Sequence, residues 1–481
     1  MTRRLGLPLF FFGASLLQQC ISTPLSDDRC ESAKYADKSR VFVLTDISNE
    51  PDDQMSLVRF LTYSNEWDVQ GIAAVTSTWL NDTTDAATIR QVIGAYGNVT
   101  GNLNKNVPKA GVYPSGAELL GKVVSGYPVY GLAALDKPPS DAAKALVSAV
   151  DATPKPLWVT IWGGAAVLAE ALQYASKTRN TSAVDQFAKK LRVYAISDQD
   201  DAGPWIRKNF PTLFYIVSLH GFSVYNQATW SGISGDVLYS FDNGGPNTSL
   251  VTNEWLGKHI RNGPLGAEYP EFACIMEGDT PSILNLIPNG LSDPEHPEWG
   301  GWGGRYELLD ASGRTGVFSN AVDLVEGANG NKFISSQATI WRWREAYQFD
   351  FAARMQWTVE GNSTRINHHP IVVVNDTCGP AALELDYVVG DTVTLDLSRS
   401  WDPDGDQLSF EWFHYRDVLQ HIDGRWPVVS QNVTVTPMST KGDIVEIAPL
   451  GNLTLHMILT VKDNRAMPLT TYRRVILNPM A

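Results

Sequence analysis

The feature of this sequence that most constrains its fold is an alternation of short apolar segments with helix-like segments, between about residues 40 and 344. The apolar segments are continuous rather than alternating with polar residues, which is typical of parallel strands buried on both faces. They read VFVLTD, VQGIAAVTS, PLWVTIWGG, LRVYAISD and LFYIVS. Helix-like segments between them include DQMSLVRFLTYS, DAATIRQVIGAYG, GAAVLAEALQYAS and SAVDQFAKKLR. The pattern predicts an α/β fold, with a mainly parallel sheet covered by helices on both faces.

After about residue 367 the pattern changes, because the helical period disappears and short alternating segments follow one another with turn residues between them. These segments lie at residues 391–415, 432–437, 442–449, 453–463 and 470–478. Strands of this kind predict an all-β sandwich. We therefore expect a signal peptide at residues 1–22, an α/β domain at residues 23–366 and a β-sandwich domain at residues 367–481.

The first residues have the arrangement of a secretory signal peptide. Arg3 and Arg4 precede an apolar stretch at residues 5–17, and small residues follow near Ser22, where cleavage is expected. A buried N-terminal helix is the alternative explanation. Eight Asn-x-Ser/Thr sequons agree with a secreted glycoprotein; they begin at Asn81, Asn98, Asn180, Asn247, Asn362, Asn375, Asn432 and Asn452.

The formal net charge of −14 argues against nucleic acid or an anionic membrane surface as a partner, because both attract clustered Lys and Arg. A neutral or cationic ligand suits this charge better. Once Cys20 has left with the signal peptide, Cys30, Cys274 and Cys378 remain, so at most one disulfide forms among them. The sequence leaves both the pairing and the oligomeric state open.

Four acids lie within eight positions at the end of the first predicted strand: Asp46, Glu50, Asp52 and Asp53. Crowded carboxylates repel one another unless a cation is shared between them or some are protonated. Ca²⁺ or Mg²⁺ suits a set of oxygen ligands, and the segment holds no His or Cys that would favour zinc. The alternative is a helix N-terminus, where Asp52 and Asp53 would interact favourably with the helix dipole. Spacing alone does not decide between them.

Acids follow two further strand-like segments. Asp200 lies in AISDQDDAGPW, and Glu277 and Asp279 lie in ACIMEGDTPSILNLIP. Trp162 ends another strand, directly before two glycines that allow a ligand to approach the backbone. In parallel sheets, ligands bind outside the carboxyl ends of the strands, so these positions predict one shared site. Solvated loop acids are the ordinary alternative for each position taken alone.

The acidic segments also resemble those of a known family. TDISNEPDDQMSL resembles the N-terminal aspartate motif of nucleoside hydrolases, and GDTPSILNLIP resembles the segment carrying their late metal ligand. TDISNEPDDQ, ISDQDDAGPWIR, NGPLGAEYP and EGDTPSILNLIPNGLSDPEHPEWGGWGGRYE are similar to a secreted nucleoside-hydrolase-like family that is often labelled cellulose-binding protein. The resemblance implies a nucleoside-hydrolase-like α/β domain followed by an Ig-like β-sandwich.

The resemblance also implies roles for individual residues. Asp53 and Asp279 correspond to calcium ligands, Trp162 to a backbone carbonyl ligand, and Asp52 to an acid that binds sugar hydroxyls. If a two-residue insertion is allowed, Asp46 becomes a further metal ligand and the catalytic base. We prefer this alignment, because SNEP at residues 48–51 has the composition of a loop.

Without the insertion, Ser48 takes the place of the ligand and base. Two other positions depart from the family pattern: Thr78 replaces an Asn that helps to bind the sugar, and Gly278 replaces a His.

Other candidate substrate-binding residues come from the loops. We expect sugar contacts from Asn49, Glu50, Asp200 and Glu277, and stacking on a sugar ring from Trp299 and Trp302, which glycines separate in EWGGWGGRYE. The alternative for the two tryptophans is packing beneath their own loop. In the sandwich, Asp402, Asp404 and Asp406 suit either a structural Ca²⁺ or an Asx turn without metal.

Two functions are consistent with these residues. The first is a secreted glycosidase-type hydrolase, in which Asp46 deprotonates a metal-bound water that attacks an N- or O-glycosidic bond in a small molecule or glycan. The second is a non-catalytic protein that binds cellulose or another glycan on the same fold. Ser48, Thr78 and Gly278 favour the second function.

Overall fold

The computed structural model describes residues 27–419 and 432–480. The expected signal peptide at residues 1–22 therefore lies outside the described residues. The α-helices are α1 (Asp27–Ser32), α2 (Pro51–Thr62), α3 (Ala86–Gly97), α4 (Thr100–Leu103), α5 (Gly116–Leu120), α6 (Asp141–Asp151), α7 (Ala166–Thr178), α8 (Thr181–Lys189), α9 (Ala202–Asn209), α10 (Asp236–Tyr239), α11 (Asn253–His259), α12 (Gly263–Gly266), α13 (Pro281–Leu284), α14 (Ala338–Trp341) and α15 (Arg344–Val359).

The strands alternate with these helices in the first part of the chain and follow one another in the last part. They are β1 (Ser39–Thr45), β2 (Trp67–Ala74), β3 (Val123–Ser125), β4 (Leu157–Ile161), β5 (Leu191–Ala195), β6 (Phe214–Val217), β7 (Tyr306–Leu308), β8 (Val317–Asn320), β9 (Asp323–Glu326), β10 (Lys332–Ser335), β11 (Val373–Val374), β12 (Thr377–Cys378), β13 (Leu383–Tyr387), β14 (Val393–Asp396), β15 (Ser409–His414), β16 (Val433–Pro437), β17 (Ile444–Pro449), β18 (Leu455–Lys462) and β19 (Thr470–Pro479).

An eight-stranded sheet has the order β3-β2-β1-β4-β5-β6-β8-β7. The neighbours pair in parallel from β3 to β8, and β7 pairs antiparallel to β8 at the edge. The predicted mainly parallel sheet is therefore confirmed. Because the chain leaves β1 towards β2 on one side and later returns to β4 on the other, the strand order reverses next to β1. In open α/β sheets, ligands bind at the carboxyl ends of the strands at this switch point.

Side chains of β1 alternate between two apolar cores, one on each face of the sheet. Val41 and Val43 belong to the core that includes α2, α3 and α15. Phe42 and Leu44 belong to the core that includes α6, α7 and α9. This alternation explains why β1 is apolar without interruption, since a strand covered on both faces has no solvent-facing side. It also leaves only the end of the strand for polar side chains.

The C-terminal part contains a four-stranded sheet in the order β13-β19-β18-β15 and a three-stranded sheet in the order β14-β17-β16. Both sheets contribute to one apolar core, in which Leu395 and Ile447 from the smaller sheet join Leu459 and Val475 from the larger one. A core shared by two sheets is the arrangement of a β-sandwich, so the all-β prediction for this region is confirmed.

Hydrogen bonds and aromatic packing join the sandwich to the α/β part. The backbone N–H groups of Tyr472 and Arg474 in β19 donate to the carbonyls of Asn289, at 2.9 Å, and Gly290, at 3.0 Å. Trp302 is completely buried, and its indole N–H donates to the Tyr472 hydroxyl at 3.3 Å. The loop of residues 285–304 is thus part of the junction between the two parts of the chain.

This packing corrects the expectation that Trp299 and Trp302 face a sugar. Trp299 stacks on His296, with ring centroids 4.0 Å apart, and its carbonyl accepts a hydrogen bond from Arg474 at 3.0 Å. Trp302 packs edge-on against Tyr472 at a centroid distance of 6.2 Å and has no exposed surface. Both rings therefore pack inside the junction. The alternative expected packing beneath their own loop, whereas the structure shows packing against the sandwich.

A disulfide joins Cys30 in α1 to Cys378 in β12, across 348 residues of sequence. Cys274 is free and exposed. The bond attaches the N-terminal segment of the α/β part to the start of the sandwich region. Among the described residues, no helix combines the length and apolar character needed to cross a membrane.

Removal of this cross-link is expected to destabilise the protein. The double variant Cys30→Ser/Cys378→Ser should lose about 2–5 kcal/mol of unfolding free energy, because its unfolded chain is no longer constrained by a long closed loop. Urea denaturation followed by tryptophan fluorescence measures the change. Cys274→Ser is the matched control, because its thiol is exposed and unpaired, and it should unfold like the parent. An unchanged midpoint for the double variant would contradict the prediction.

Candidate functional site

A pocket of about 280 Å³ opens at the carboxyl ends of β1 and β4, where the strand order reverses. Its acidic lining comes from the segment after β1 and from the turn before α13: Asp46, Glu50, Asp52, Asp53 and Asp279. Asn49 and Trp162 also line it. The structure thus brings together most of the residues that the sequence placed in one site.

Asp46 lies directly after β1 and is buried at the floor of the pocket. A Cβ atom on Gly163 would lie only 2.5 Å from its Oδ1 atom, so the close approach of β1 and β4 requires glycine at that position. Ser77 and Asp53 are hydrogen-bonding neighbours of the Asp46 carboxyl group. This carboxylate is therefore held in place from three sides.

Asp52 and Asp53 occupy the first turn of α2, which begins at Pro51 with Glu50 as its N-cap. The Glu50 side chain makes no capping hydrogen bond. Asp53 is buried and accepts a hydrogen bond from the Thr45 hydroxyl. A helix N-terminus and a cation site were the two explanations for these acids. The structure combines them, because the first turn of α2 points both carboxylates into the pocket. The favourable dipole of α2 partly offsets their repulsion.

Asp279 reaches the pocket because the preceding turn is anchored to α2. Glu277 has a left-handed backbone conformation with φ of +57° and is completely buried. Its carboxylate accepts hydrogen bonds from Arg59 Nε at 2.5 Å and Arg59 Nη2 at 3.1 Å, and from the Tyr269 hydroxyl at 2.5 Å. Glu277 is therefore part of a buried ion pair, which corrects its expected role in substrate binding.

The carboxylates of Asp52, Asp53 and Asp279 each offer an oxygen atom within 4.8 Å of the others. The Oδ2 atom of Asp279 is buried without a hydrogen-bond partner among the described residues. Three converging oxygen donors and an unpartnered buried carboxylate oxygen fit a hard divalent cation such as Ca²⁺ or Mg²⁺. The residues present therefore suit the metal that the resemblance implies.

Burial raises the pKa of all four aspartates in the pocket. The pKa of Asp46 rises to about 6 and that of Asp52 to about 7, with nearby acidic side chains adding to the effect of burial. The pKa values of Asp53 and Asp279 lie well above the usual range, because burial acts together with the charges of the other aspartates. Without a cation, the folded state therefore favours protonation of this cluster.

Trp162 lines the pocket and is completely buried. Its indole N–H donates to the Ser282 hydroxyl at 2.9 Å, which ties the end of β4 to α13. Its carbonyl accepts a hydrogen bond from the Gln199 side chain. Gln199 also lines the pocket, and sequence reasoning missed it.

Asp200 lies outside the pocket. Its two carboxylate oxygens accept hydrogen bonds from the backbone N–H groups of Ala166, at 3.1 Å, and Ala202, at 2.9 Å. These groups are at the starts of α7 and α9, so the side chain caps two helices at once. The expected sugar contact of Asp200 is corrected to this structural role.

Ser48 points away from the acids. It is exposed with φ of +84°, and its hydroxyl donates to Asp85 Oδ2 at 2.7 Å. Asp46 occupies the pocket floor instead, so the structure favours the alignment with an insertion after β1. At Gly278, a Cβ atom would lie 2.8 Å from Asp52 Oδ2 and 2.9 Å from the Trp230 ring. The Trp230 ring thus leaves no room there for the histidine of the family pattern.

Aromatic residues of the pocket were not predicted from the sequence. Trp79 follows β2, and Tyr225 and Trp230 follow β6, so all three come from the same edge of the sheet as the acids. Their positions after strand ends carried a weak signal, but nothing in their spacing distinguished them from ordinary core aromatics. The sequence instead directed attention to the tryptophans of the glycine-rich loop.

Two other polar regions are less suited to a ligand. A groove of about 510 Å³ lies between the α/β part and the sandwich. Several of its charged side chains are paired, including Lys34 with Glu66 at 2.9 Å and His368 with Asp404 at 2.8 Å. Asp404 also belongs to the cluster with Asp402 and Asp406 in the sandwich. The acids at the sheet edge have no such cationic partners among the described residues that line their pocket.

Comparison with known proteins gives two matching family models. The model described as "Cellulose-binding Sde182, nucleoside hydrolase-like domain" matches residues 40–306. The model described as "Cellulose-binding protein Sde0182, C-terminal domain" matches residues 392–479. No curated protein matched the chain.

Among solved structures, a nucleoside hydrolase-related hypothetical protein from Saccharophagus degradans, described as associated with carbohydrate metabolism, is 32% identical to this chain. The match covers 92% of this chain and 100% of that one, with a TM-score of 0.74. An inosine-uridine preferring nucleoside hydrolase from Bacillus anthracis is 14% identical over 67% of this chain and 100% of its own, with a TM-score of 0.33.

The raised pKa values predict an effect of pH on the stability that Ca²⁺ provides. Without metal, the folded state keeps protons on Asp46 and Asp52 that the unfolded state loses above about pH 4, so this contribution to stability declines from about pH 4 upwards and is lost once the pH has risen through the folded pKa values of about 6 and about 7. The decline is about 1.4 kcal/mol per pH unit for each such group. Ca²⁺ takes the place of the protons, so its stabilising effect should increase over the same range.

Urea denaturation of the metal-free and Ca²⁺-saturated protein, from about pH 4.5 to 7.5, measures this difference. Curves that stay parallel across the range would contradict a shared cation at the four aspartates.

Asp279→Asn is expected to stabilise the metal-free protein at neutral pH and to remove its response to Ca²⁺. The substitution keeps the size of the side chain but removes a buried carboxyl group that must either repel Asp52 and Asp53 or take up a proton at neutral pH. Thermal unfolding in chelator and in Ca²⁺ measures both effects, and isothermal titration calorimetry measures Ca²⁺ binding directly. Asp185→Asn, on the exposed face of α8, is the control and should change neither. Retention of the full Ca²⁺ response by Asp279→Asn would contradict its role as a ligand.

Proposed function

Because this chain belongs to the family of cellulose-binding Sde182-type proteins with a nucleoside hydrolase-like domain, we propose that it is a glycosidase-type hydrolase that cleaves an N- or O-glycosidic bond. The observation that carries the proposal is the convergence of Asp46, Asp52, Asp53 and Asp279 in one concave pocket at the switch point of the sheet. Acids with a purely structural role are normally hydrogen-bonded when they are buried, whereas the Oδ2 atom of Asp279 is buried without a partner among the described residues.

Asp46, Asp53, Asp279 and the Trp162 carbonyl would hold the cation, and calcium suits this all-oxygen set. When bound, such a cation supplies a positive charge that acidifies nearby water and offsets the repulsion among the carboxylates. In this proposal the family resemblance provides the identity of the metal. The converging oxygens of Asp52, Asp53 and Asp279 and the unpartnered oxygen of Asp279 support a cation in this pocket, whereas the places of Asp46 and the Trp162 carbonyl in the ligand set come from the family resemblance.

Asp46 is the proposed general base. It lies at the floor of the pocket, where a water molecule attacking a bound sugar would be close to its carboxylate. Asp52, Asn49 and Glu50 lie nearer the mouth, where their oxygen and nitrogen atoms would hold sugar hydroxyls. As the glycosidic bond breaks, the sugar acquires oxocarbenium-like positive charge, and an acidic pocket stabilises that charge.

The site of action in this proposal is outside the cell. The N-terminal sequence has the features of a signal peptide, and all eight asparagines of the Asn-x-Ser/Thr sequons are exposed, as glycan attachment requires. The substrate would be a small glycoside or a glycan; the net charge of −14 makes nucleic acid and anionic membranes unsuitable partners.

A non-catalytic carbohydrate-binding protein on the same fold is the second candidate. Gly278 favours it, because the histidine expected there from the family pattern is absent and the Trp230 ring fills the adjacent space. A protein of this kind would keep the cation and the hydroxyl contacts of the pocket without turnover.

Incubation of the purified protein with nucleosides, aryl glycosides and plant or fungal glycans tests the two candidates. Sugar release that chelation abolishes is expected for a hydrolase, and Asp46→Asn should reduce kcat by about 10²–10⁴-fold, the usual contribution of a general base. Asp185→Asn is again the matched control. Chelator-sensitive binding without any release would favour the second candidate, and full activity of Asp46→Asn would exclude the proposed base.

A further inference from the structure

Exposed aromatic rings stand beside the mouth of the carboxylate pocket. Phe222 is 69% exposed and Trp79 is 46% exposed, although both are large apolar side chains. Their rings are nearly parallel, with an interplanar angle of 18° and centroids 6.0 Å apart. Trp79 and its neighbour Tyr225 also line the acidic pocket itself. The three rings, which we call the aromatic platform, thus continue the pocket wall outwards into solvent.

Polar contacts hold Trp79, the central ring of the platform, in place. The Trp79 indole N–H donates to the Tyr225 hydroxyl at 2.9 Å. The backbone N–H of Trp79 donates to the Ser77 hydroxyl at 3.0 Å, and that of Thr78 donates to the Gln199 carbonyl at 2.6 Å. Trp79 is therefore fixed at the end of β2 while much of its ring stays accessible.

Tyr225 connects the platform to the interior. Its ring lies 5.4 Å from the ring of Trp230, centroid to centroid. The indole N–H of Trp230 donates to the Ser197 hydroxyl, at 2.8 Å, just after β5. A surface of large exposed rings with a fixed arrangement costs solvation free energy and is retained where it contacts a partner.

The chemistry of the platform favours a neutral sugar over a nucleobase. A pyranose ring presents an apolar face of C–H groups that packs on an aromatic ring. A nucleobase also stacks, but selection of one base over another depends on hydrogen bonds to its polar edges. The Trp79 indole N–H already donates to the Tyr225 hydroxyl, so it is not free to read such an edge.

The acidic lining of the pocket beside the platform disfavours acidic ligands. Five acidic side chains line the adjoining pocket, and none of its described lining residues is Lys, Arg or His. A phosphate or uronate group placed here would meet repulsion without a compensating cation from the protein. A neutral glycan avoids that repulsion.

The pocket is too small for more than one sugar ring, so a longer ligand would have a second ring outside it. At about 280 Å³, the pocket is slightly smaller than the usual small-molecule sites, which are about 300–1,000 Å³. It has room for one sugar ring with its water, whereas the rings of Phe222 and Trp79 lie at and beyond its mouth.

We infer that Trp79, Phe222 and Tyr225 form a second subsite, on which the next ring of a neutral oligosaccharide stacks while its terminal ring occupies the carboxylate pocket. This inference rests on the proposed function of the pocket as a sugar site. It assigns the substrate to the neutral glycans rather than to the nucleosides, and it makes Phe222 a specificity-determining residue that takes no part in the chemistry.

Isothermal titration calorimetry of the Ca²⁺-loaded full chain tests the inference with cellohexaose, xylohexaose, mannohexaose, inosine and oligogalacturonate as probes. Phe222→Ala should weaken binding of the preferred neutral hexasaccharide about tenfold or more, because it loses one stacked ring. Phe222→Trp should restore it. Tyr174→Ala removes an exposed ring on α7 and serves as the matched control with no expected effect. Since Phe222 is exposed, its truncation leaves the core intact.

Ca²⁺ binding should be the same in the parent and in all three variants, because none of the changed side chains lies among the carboxylates. Equal hexasaccharide affinity of Phe222→Ala and parent overturns the inference, as does tighter binding of inosine or of oligogalacturonate than of every neutral hexasaccharide. Failure of all three neutral hexasaccharides to bind overturns it too. If binding depends on Phe222 but neither on Ca²⁺ nor on Asp279, the platform stands and the proposed cation site fails.

Discussion

The buried ion pair between Arg59 and Glu277 is the interaction on which the site depends. Arg59 comes from the second half of α2, and the same helix carries Asp53 at its start. By fixing Glu277, it sets the turn that brings Asp279 against Asp53 from 226 residues further along the chain. Burying such a pair is costly, and further bonds to the Tyr269 hydroxyl and the Tyr347 carbonyl offset that cost. Loss of either partner would leave an uncompensated charge, typically worth about 3–5 kcal/mol.

The topology of the sheet explains why repelling acids are tolerated at this place. β1 lies between β2 and β4, and its side chains supply both apolar cores, so the end of the strand is fixed by packing on two faces. The favourable free energy of that packing holds Asp46 and the start of α2 in position. It offsets the cost of burying neighbouring carboxyl groups, which is seen in the raised pKa values of Asp46 and Asp52. Local instability at the site is thus supported by stability elsewhere, a common arrangement at binding sites.

The sequence predicted the sheet and most of the acids because both follow from local patterns. Continuous apolar segments identify strands covered on two faces, and acids directly after them fall at one edge. Local patterns could not show which of two neighbouring acids lines the pocket. Glu277 and Asp279 both follow the same apolar segment, but the left-handed backbone at Glu277 directs its side chain to Arg59, and only Asp279 reaches the pocket. Trp302 was misplaced for a related reason, since its partner Tyr472 is 170 residues away. The aromatic platform was missed because it, too, forms only when distant loops meet.

The backbone pairing of β19 with Asn289 and Gly290 has a consequence for how proteins of this architecture evolve and can be engineered. The pairing continues, through α13, into the turn that carries Asp279, and completely buried Trp302 seals the same boundary. A sandwich joined in this way cannot be exchanged freely, unlike a domain that is connected only by a flexible linker. Replacing it with a foreign β-sandwich would uncover apolar surface and loosen the loop behind the carboxylate pocket, so the two halves must be inherited and redesigned together.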